Sequence, residues 1–374
     1  MDVVFTHGAG LDVHKQRVMA CRIIPDPTGQ QAEGLVELKE FGTMTIDLLA
    51  LSDWLTEAGI THVAMESTGE YWTPVFNLLE GTVQVFLVHA SHVKRVPGRK
   101  TDKADARWLA KLMRHGLLQA SCIPPAGQRD VRDVTRYRTT LGQERSREVN
   151  RVQGVLERAH IKLASVVTDM MGVSGRAILA AWVEGRADPA TMAELAKRRL
   201  RSKIPLLEQA LTGLVREHHR RLWAIQWAPI DFLDEHIEAL SGEMTRYLTE
   251  LSAEAVLPPP SAASATADRA AEPAVPDAPL TFTRAIALLE TIPGVDRRGA
   301  ERWVAETGID MARFGTAARL AAWVGVAPGN DERAGKQRSG RTRHGHQPLR
   351  TVLTQLAHAA AHTQGPYLSA LSHR

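Results

Sequence analysis

Four carboxylates define the chemistry this sequence could perform. Asp102 and Asp105 lie in GRKTDKADARWLAKLMRHG (98–116), among Arg99, Lys100, Lys103, Arg107, Lys111 and Arg114. Their three-residue spacing puts both on one face of a helix. Asp12 lies in GLDVHK, at the start of a strand-like segment, and Glu66 ends the apolar part of VAMESTG, where the sequence turns polar. Taken singly, each has an ordinary structural explanation: Asp12 begins a turn, Glu66 caps the helix after it, and Asp102 favours the positive end of its own helix. Together, near strand ends and a helix start, they can converge on one edge of a sheet. Clustered carboxylates repel unless they are protonated or neutralised by cations, and an all-oxygen ligand set selects Mg²⁺ or Mn²⁺. Two such ions, about 4 Å apart, activate a nucleophile and stabilise the leaving oxygen in phosphoryl transfer. The lysines and arginines around Asp102 and Asp105 would then hold a phosphate backbone.

The elements that must position these groups follow from the hydrophobic pattern. LDVHKQRVMACRII and VELKEFGT read as strands, MTIDLLALSDWLTEAG as an amphipathic helix ending at Gly59, THVAMEST as a strand, WTPVFNLLEG as a short helix and VQVFLVHA as a strand. The helix carrying Asp102 and Asp105 comes next, with Thr101 as its N-cap. The order β-β-β-α-β-α-β-α predicts an α/β domain over 1–125, with an antiparallel meander extended by parallel strands into a mixed sheet. Residues 126–254 read as long polar helices with a thin apolar stripe, the pattern of a projecting hairpin or coiled coil, and MMGVSGRAILAAWVEG offers the glycines of the turn between its arms. Residues 255–280, rich in Ala, Pro and Ser, read as a flexible linker. Residues 281–374 read as short helices around a basic loop.

Composition narrows the function classes. The 374 residues carry 46 Lys and Arg against 42 Asp and Glu, a net charge of +4, and the basic residues crowd into 94–114, 129–162, 197–221 and 333–350. Several basic surfaces without an apolar anchor point to an extended polyanion, with nucleic acid ahead of a membrane. No apolar run approaches a membrane span, and the start lacks the pattern of a signal peptide, so a cytoplasmic protein is expected. Cys21 and Cys122 stand in no metal-ligand spacing. In ERAGKQRSGRTRHGH, Arg333, Lys336, Arg338, Arg341 and Arg343 are spaced by glycines, a pattern suited to binding phosphates through guanidinium forks and backbone amides.

GLDVHK, AMESTGEYW, KTDKADARWLAKL and the downstream IPGV, AAWVGVAPGN and AGKQRSGRTRHG, in this order, resemble the transposases of the IS110 family over essentially the whole chain. The resemblance implies an RNase H-like (RuvC-like) N-terminal domain whose Asp-Glu-Asp-Asp tetrad maps onto Asp12, Glu66, Asp102 and Asp105. It also implies a coiled-coil insertion, a mostly helical C-terminal transposase domain, and nucleoid-associated DNA recombination in bacteria. Mg²⁺ or Mn²⁺ would be the cofactor, and the partners would be element and target DNA, a structured guide RNA and further copies of the chain. A serine nucleophile is expected where this chain has Arg333, which has no nucleophilic oxygen. Three readings follow: a degenerate copy, which is favoured; Ser339 in the serine's place; or a reaction at the acidic site alone. A structure-specific nuclease and a non-catalytic nucleic-acid-binding remnant are the alternatives to a transposase.

Overall fold

The first strand has no polar face, as expected of a strand covered on both sides. In the computed structural model, which describes residues 3–28, 34–66, 69–88, 102–185, 188–254, 279–328, 331–333, 336–339, 341–342, 344–363 and 370, all of β1 (Gly8–Val13) is buried. It lies at the centre of a five-stranded sheet of order β3-β2-β1-β4-β5, with β2 (Arg17–Ile24), β3 (Leu35–Gly42), β4 (His62–Glu66) and β5 (Gln84–Val88). β1, β2 and β3 pair antiparallel, whereas β4 runs parallel to β1 and β5 parallel to β4. This is the mixed sheet predicted from the element order, and the RNase H-like architecture implied by the resemblance.

Side chains alternate across the sheet, so each face has its own cover. Leu11, Val13, Val63 and Met65 pack with Leu51 and Leu55 of α1 (Thr45–Glu57) and Phe76 and Leu79 of α2 (Trp72–Leu79). On the opposite face, Cys21, Ile23, Ala64 and Val88 meet Ala106, Leu109, Ala110 and Met113 of α3 (Asp102–Arg114). These elements form one unit, Met1–Ile123, and Pro124–Arg374 form a second.

In the second unit, α4 (Ala126–Arg158) and a later helix (Glu217–Glu254) run antiparallel, as expected of a hairpin. The pairs Thr135–Met244, Arg138–Ser241 and Arg145–Asp234 mark their common register. The connection between the arms is not the turn expected from MMGVSGRAILAAWVEG. Ile178, Leu179 and Trp182 give that segment an apolar face, and it forms α6 (Val173–Glu184) beside α5 (Leu163–Val166), α7 (Pro189–Ala193) and α8 (Ile204–Leu211). These helices share a core with Val155, Leu156, Trp223 and Ile230 of the hairpin arms. The returning arm, α9 (Glu217–Glu254), starts beyond Gly213, where a Cβ would stand 2.7 Å from Ile161 Cδ1 and 2.9 Å from the His160 carbonyl oxygen.

At the base of the hairpin, Val131, Met244 and Leu248 pack against Ile286 of α10 (Phe282–Glu290) and Ala300 and Val304 of α11 (Arg297–Thr307). Val324 of α12 (Ala317–Val324) joins Leu349, Val352 and Leu356 of α13 (Gln347–His362). Between them, the segment expected as a glycine-spaced loop contains a hairpin of β6 (Asp331–Arg333) and β7 (Lys336–Ser339), with Arg333 opposite Lys336. The Thr101 cap, Arg99, Lys100, Arg343 and linker residues 255–278 lie outside the described residues. No helix among the described residues is long and apolar enough to cross a membrane.

Many of the arginines read as a nucleic-acid surface serve the fold instead. Arg132 Nε donates to the Ala305 carbonyl at 2.9 Å and Gln128 Nε2 to the same oxygen at 3.0 Å, satisfying a carbonyl in the last turn of α11. Arg136 binds Glu306 through two bonds of 2.8 and 2.9 Å, and Arg138 binds buried Glu301 at 2.7 Å.

Candidate active site

The acidic site is assembled by close approach of α3 to β1. Gly10 makes this possible: a Cβ there would overlap the Ala106 carbonyl oxygen and the Ala110 amide nitrogen, and would lie 2.8 Å from Leu109 Cβ. Small Ala106 and Ala110, four residues apart, complete the contact on the helix side. Gly10→Ala is therefore expected to cost about 2–3 kcal/mol, since backbone atoms cannot rotate away from the added methyl. A shift of the urea midpoint at constant m would show this; a change below about 0.5 kcal/mol would mean that α3 is not wedged against the strand.

Because Gly10 faces α3, Asp12 two residues on faces it as well. Glu66 is one residue beyond the Leu11–Met65 pair on the neighbouring parallel strand, and shares the α3-facing side with Ala64. The first turn of α3 supplies Asp102 and Asp105, where the positive end of the helix favours acids. Strand alternation and helix docking thus direct all four predicted carboxylates to one edge of one sheet face.

Within that edge the closest grouping is Asp12, His14 and Asp102, whose donor atoms all lie within 4.8 Å of one another. His14 Nε2 is 3.2 Å from Asp12 Oδ2 and 3.6 Å from Asp102 Oδ1, and Arg17 Nη2 donates to Asp102 Oδ2 at 2.6 Å. Glu66 and Asp105 stand outside this trio, although Asp105 acts on Asp12 through its charge. Burial pushes the Asp12 carboxyl up, His14 pulls it down through charge and hydrogen bonding, and Asp102 and Asp105 push it up again. A buried carboxylate among further carboxylates needs a positive counterpart, and this donor set fits a divalent cation. Lys103 is exposed in the same helical turn, and Arg341 is exposed in the second unit.

His14 and Arg17 were not among the residues nominated from the sequence. The signal for His14 was present in GLDVHK: two residues beyond Asp12, it falls on the same side of an extended chain. Arg17 had no such signal, because its approach to Asp102 spans 85 residues of sequence.

Two family models match the chain. Residues 9–161 match the DEDD transposase model of the IS110 family, and residues 286–373 match the transposase model of the IS116/IS110/IS902 family. No curated protein matches the sequence. Among solved structures, the chain is similar to Thermus thermophilus RuvC, with 15% identity and a TM-score of 0.24 over 31% of this chain and 99% of that one. It is also similar to RuvC from the same organism in complex with a Holliday junction substrate, with 13% identity and a TM-score of 0.22 over the same shares. The first family match encloses Asp12, Glu66, Asp102 and Asp105 and the second encloses the β6–β7 hairpin, so the chain belongs to the IS110 family and is a transposase, an enzyme of DNA recombination.

Proposed function

We propose that this transposase cleaves DNA strands at a Mg²⁺- or Mn²⁺-dependent site formed by Asp12, Glu66, Asp102 and Asp105. The observation that supports this reading is the approach of Asp12 and Asp102 within reach of one ion, with Asp105 in the same helical turn as Asp102 and Glu66 one residue beyond the Leu11–Met65 pair. When bound, such ions supply Lewis-acid stabilisation of charge developing on phosphoryl oxygens. The protein's own residues hold the geometry: β1 and β4 fix Asp12 and Glu66, α3 fixes the other two acids, and His14 and Arg17 orient Asp12 and Asp102 by hydrogen bonds. Arg99, Lys100 and Lys103 would engage DNA phosphates beside the acids, and Arg333, Lys336, Arg338, Arg341 and Arg343 would do so on the second unit. A structured RNA that guides the reaction and assembly of several copies belong to the same reading.

Strand exchange through a covalent serine intermediate needs an oxygen at position 333, and arginine supplies none. Ser339 pairs with Asp331, at the other end of the hairpin from Arg333 and Lys336, which speaks against its taking the serine's place. This favours a copy impaired in exchange that keeps its acidic site. Arg333→Ser is expected to produce exchange between element ends in a plasmid recombination assay where the native chain only binds DNA. Robust exchange by the native chain would overturn the impairment.

A further inference from the structure

A cavity of about 460 Å³ opens in the second unit between α4, α11 and α13, and its walls are unusual in charge. Arg138, Arg147, Arg298 and Arg302 line it together with Gln143 and Gln355, and no carboxylate is among the lining residues. Arg138 is committed to Glu301, but Arg147, Arg298 and Arg302 have no carboxylate within ion-pairing reach among the described residues. Arg302 is held in place by donating from Nη1 to Gln355 Oε1 at 3.1 Å, a neutral partner, while Asp296 and Glu306 act on it through charge without pairing with it. Arg298 and Arg302 are four apart on α11, a like-charge spacing that weakens a helix. Gly142, on the α4 wall, leaves open space where a side chain would otherwise project.

The contrast with the adjacent surface is informative. A few residues away on the same two helices, Arg132 and Arg136 are each matched to Glu306. Burial and the neighbouring Arg138 hold the Arg302 guanidinium below its ordinary value, against the opposing charges of Asp296 and Glu306, and an anion in the cavity would relieve the crowding of Arg302 by Arg138. Arginine forks match the oxygens of a phosphate in particular.

We infer that this cavity is a phosphate-binding pocket, in which Arg147, Arg298 and Arg302 grip the phosphoryl oxygens of a nucleic acid strand or of a free phosphate. Nucleic acid as the source rests on the assignment of the chain as a DNA-processing enzyme; the pocket itself does not depend on the acidic site. The test is binding by the full-length chain in EDTA, so that cleavage plays no part. Affinity for a 30-base-pair DNA duplex and for a single-stranded RNA is measured between 50 and 300 mM salt for the native chain, Arg147→Gln and the double variant Arg298→Gln/Arg302→Gln. Each lost contact is expected to flatten the slope of log K against log salt by about 0.9 for the duplex or about 0.7 for the single strand. The strand whose slope changes identifies the source. If neither changes, but inorganic phosphate raises the melting temperature of the native chain and not of the double variant, the pocket takes free phosphate. Unchanged slopes together with no phosphate-dependent stabilisation overturn the proposal. Melting of each variant in phosphate-free buffer shows that the fold is intact.

Discussion

Asp12→Asn is expected to lower metal-dependent DNA cleavage by about 10²–10³-fold, the scale on which removal of one preorganised electrostatic group acts. Affinity for DNA in EDTA should stay within about twofold, because Asp12 is buried and adds no positive charge to the surface. Stability provides a control with a definite sign. Since burial raises the Asp12 carboxyl, its proton favours the folded state; that contribution is present at low pH and is lost as pH rises through the raised value. At neutral pH the carboxylate therefore opposes folding when no cation is bound, and Asn should leave the melting temperature equal or slightly higher. Binding of Mn²⁺, followed by its electron paramagnetic resonance signal, should weaken in parallel with cleavage. Asp102→Asn should behave alike, except that it also frees Arg17. Full cleavage by either variant would remove the acidic edge from the mechanism.

Glu306→Ala is expected to destabilise the second unit by about 3 kcal/mol, the lower end of the range for breaking a buried ion pair. Glu306 is 3% exposed and receives Arg136 by two bonds, Arg132 at 3.4 Å and His346 at 3.4 Å. Removing it leaves Arg132, at 13% exposure, as an almost buried cation without its carboxylate. The lower end applies because Arg136 is 45% exposed and water can take up its charge. Arg136→Ala should accordingly cost less, about 1 kcal/mol, since Arg132 still neutralises the acid. Equal losses in the two variants, measured by denaturant unfolding, would contradict this asymmetry.

His346 adds a pH dependence at the same junction. Its Nδ1 accepts from the Leu349 amide, capping α13, and its ring stacks on Trp323 at 4.6 Å. Burial lowers its value from 6.5, Glu306 opposes the shift, and Arg132 and Arg136 reinforce it. A neutral His346 thus favours the fold: its contribution is complete above pH 6.5 and is lost as pH falls toward the lowered value.

Parts of this architecture were legible because they depend on local pattern. The run of elements through residue 125, the helix bearing Asp102 and Asp105, and the two long helical arms all follow from hydrophobic periodicity, a property of neighbouring residues. The short, polar hairpin at 331–339 was missed because its segment reads as glycine-spaced charge, with no apolar alternation to mark a strand. The helices between the arms were missed for the opposite reason: glycines in MMGVSGRAILAAWVEG suggested a turn, whereas Gly175, inside α6, is needed because a Cβ there would meet the Met170 carbonyl carbon at 2.6 Å.

By itself the sequence determined the identity of the four acids, the order of the elements that carry them and the arginine at position 333, since all of these reside in residue type and local spacing. Only the tertiary structure decided which charges meet. Arg17 reaches Asp102 from 85 residues away, and Arg138 reaches Glu301 from 163. Partner choice among charges is set by distance and burial after the chain has folded, and a guanidinium looks the same in sequence whether it closes an ion pair, as Arg136 does, or lines a cavity without a carboxylate in its walls, as Arg302 does.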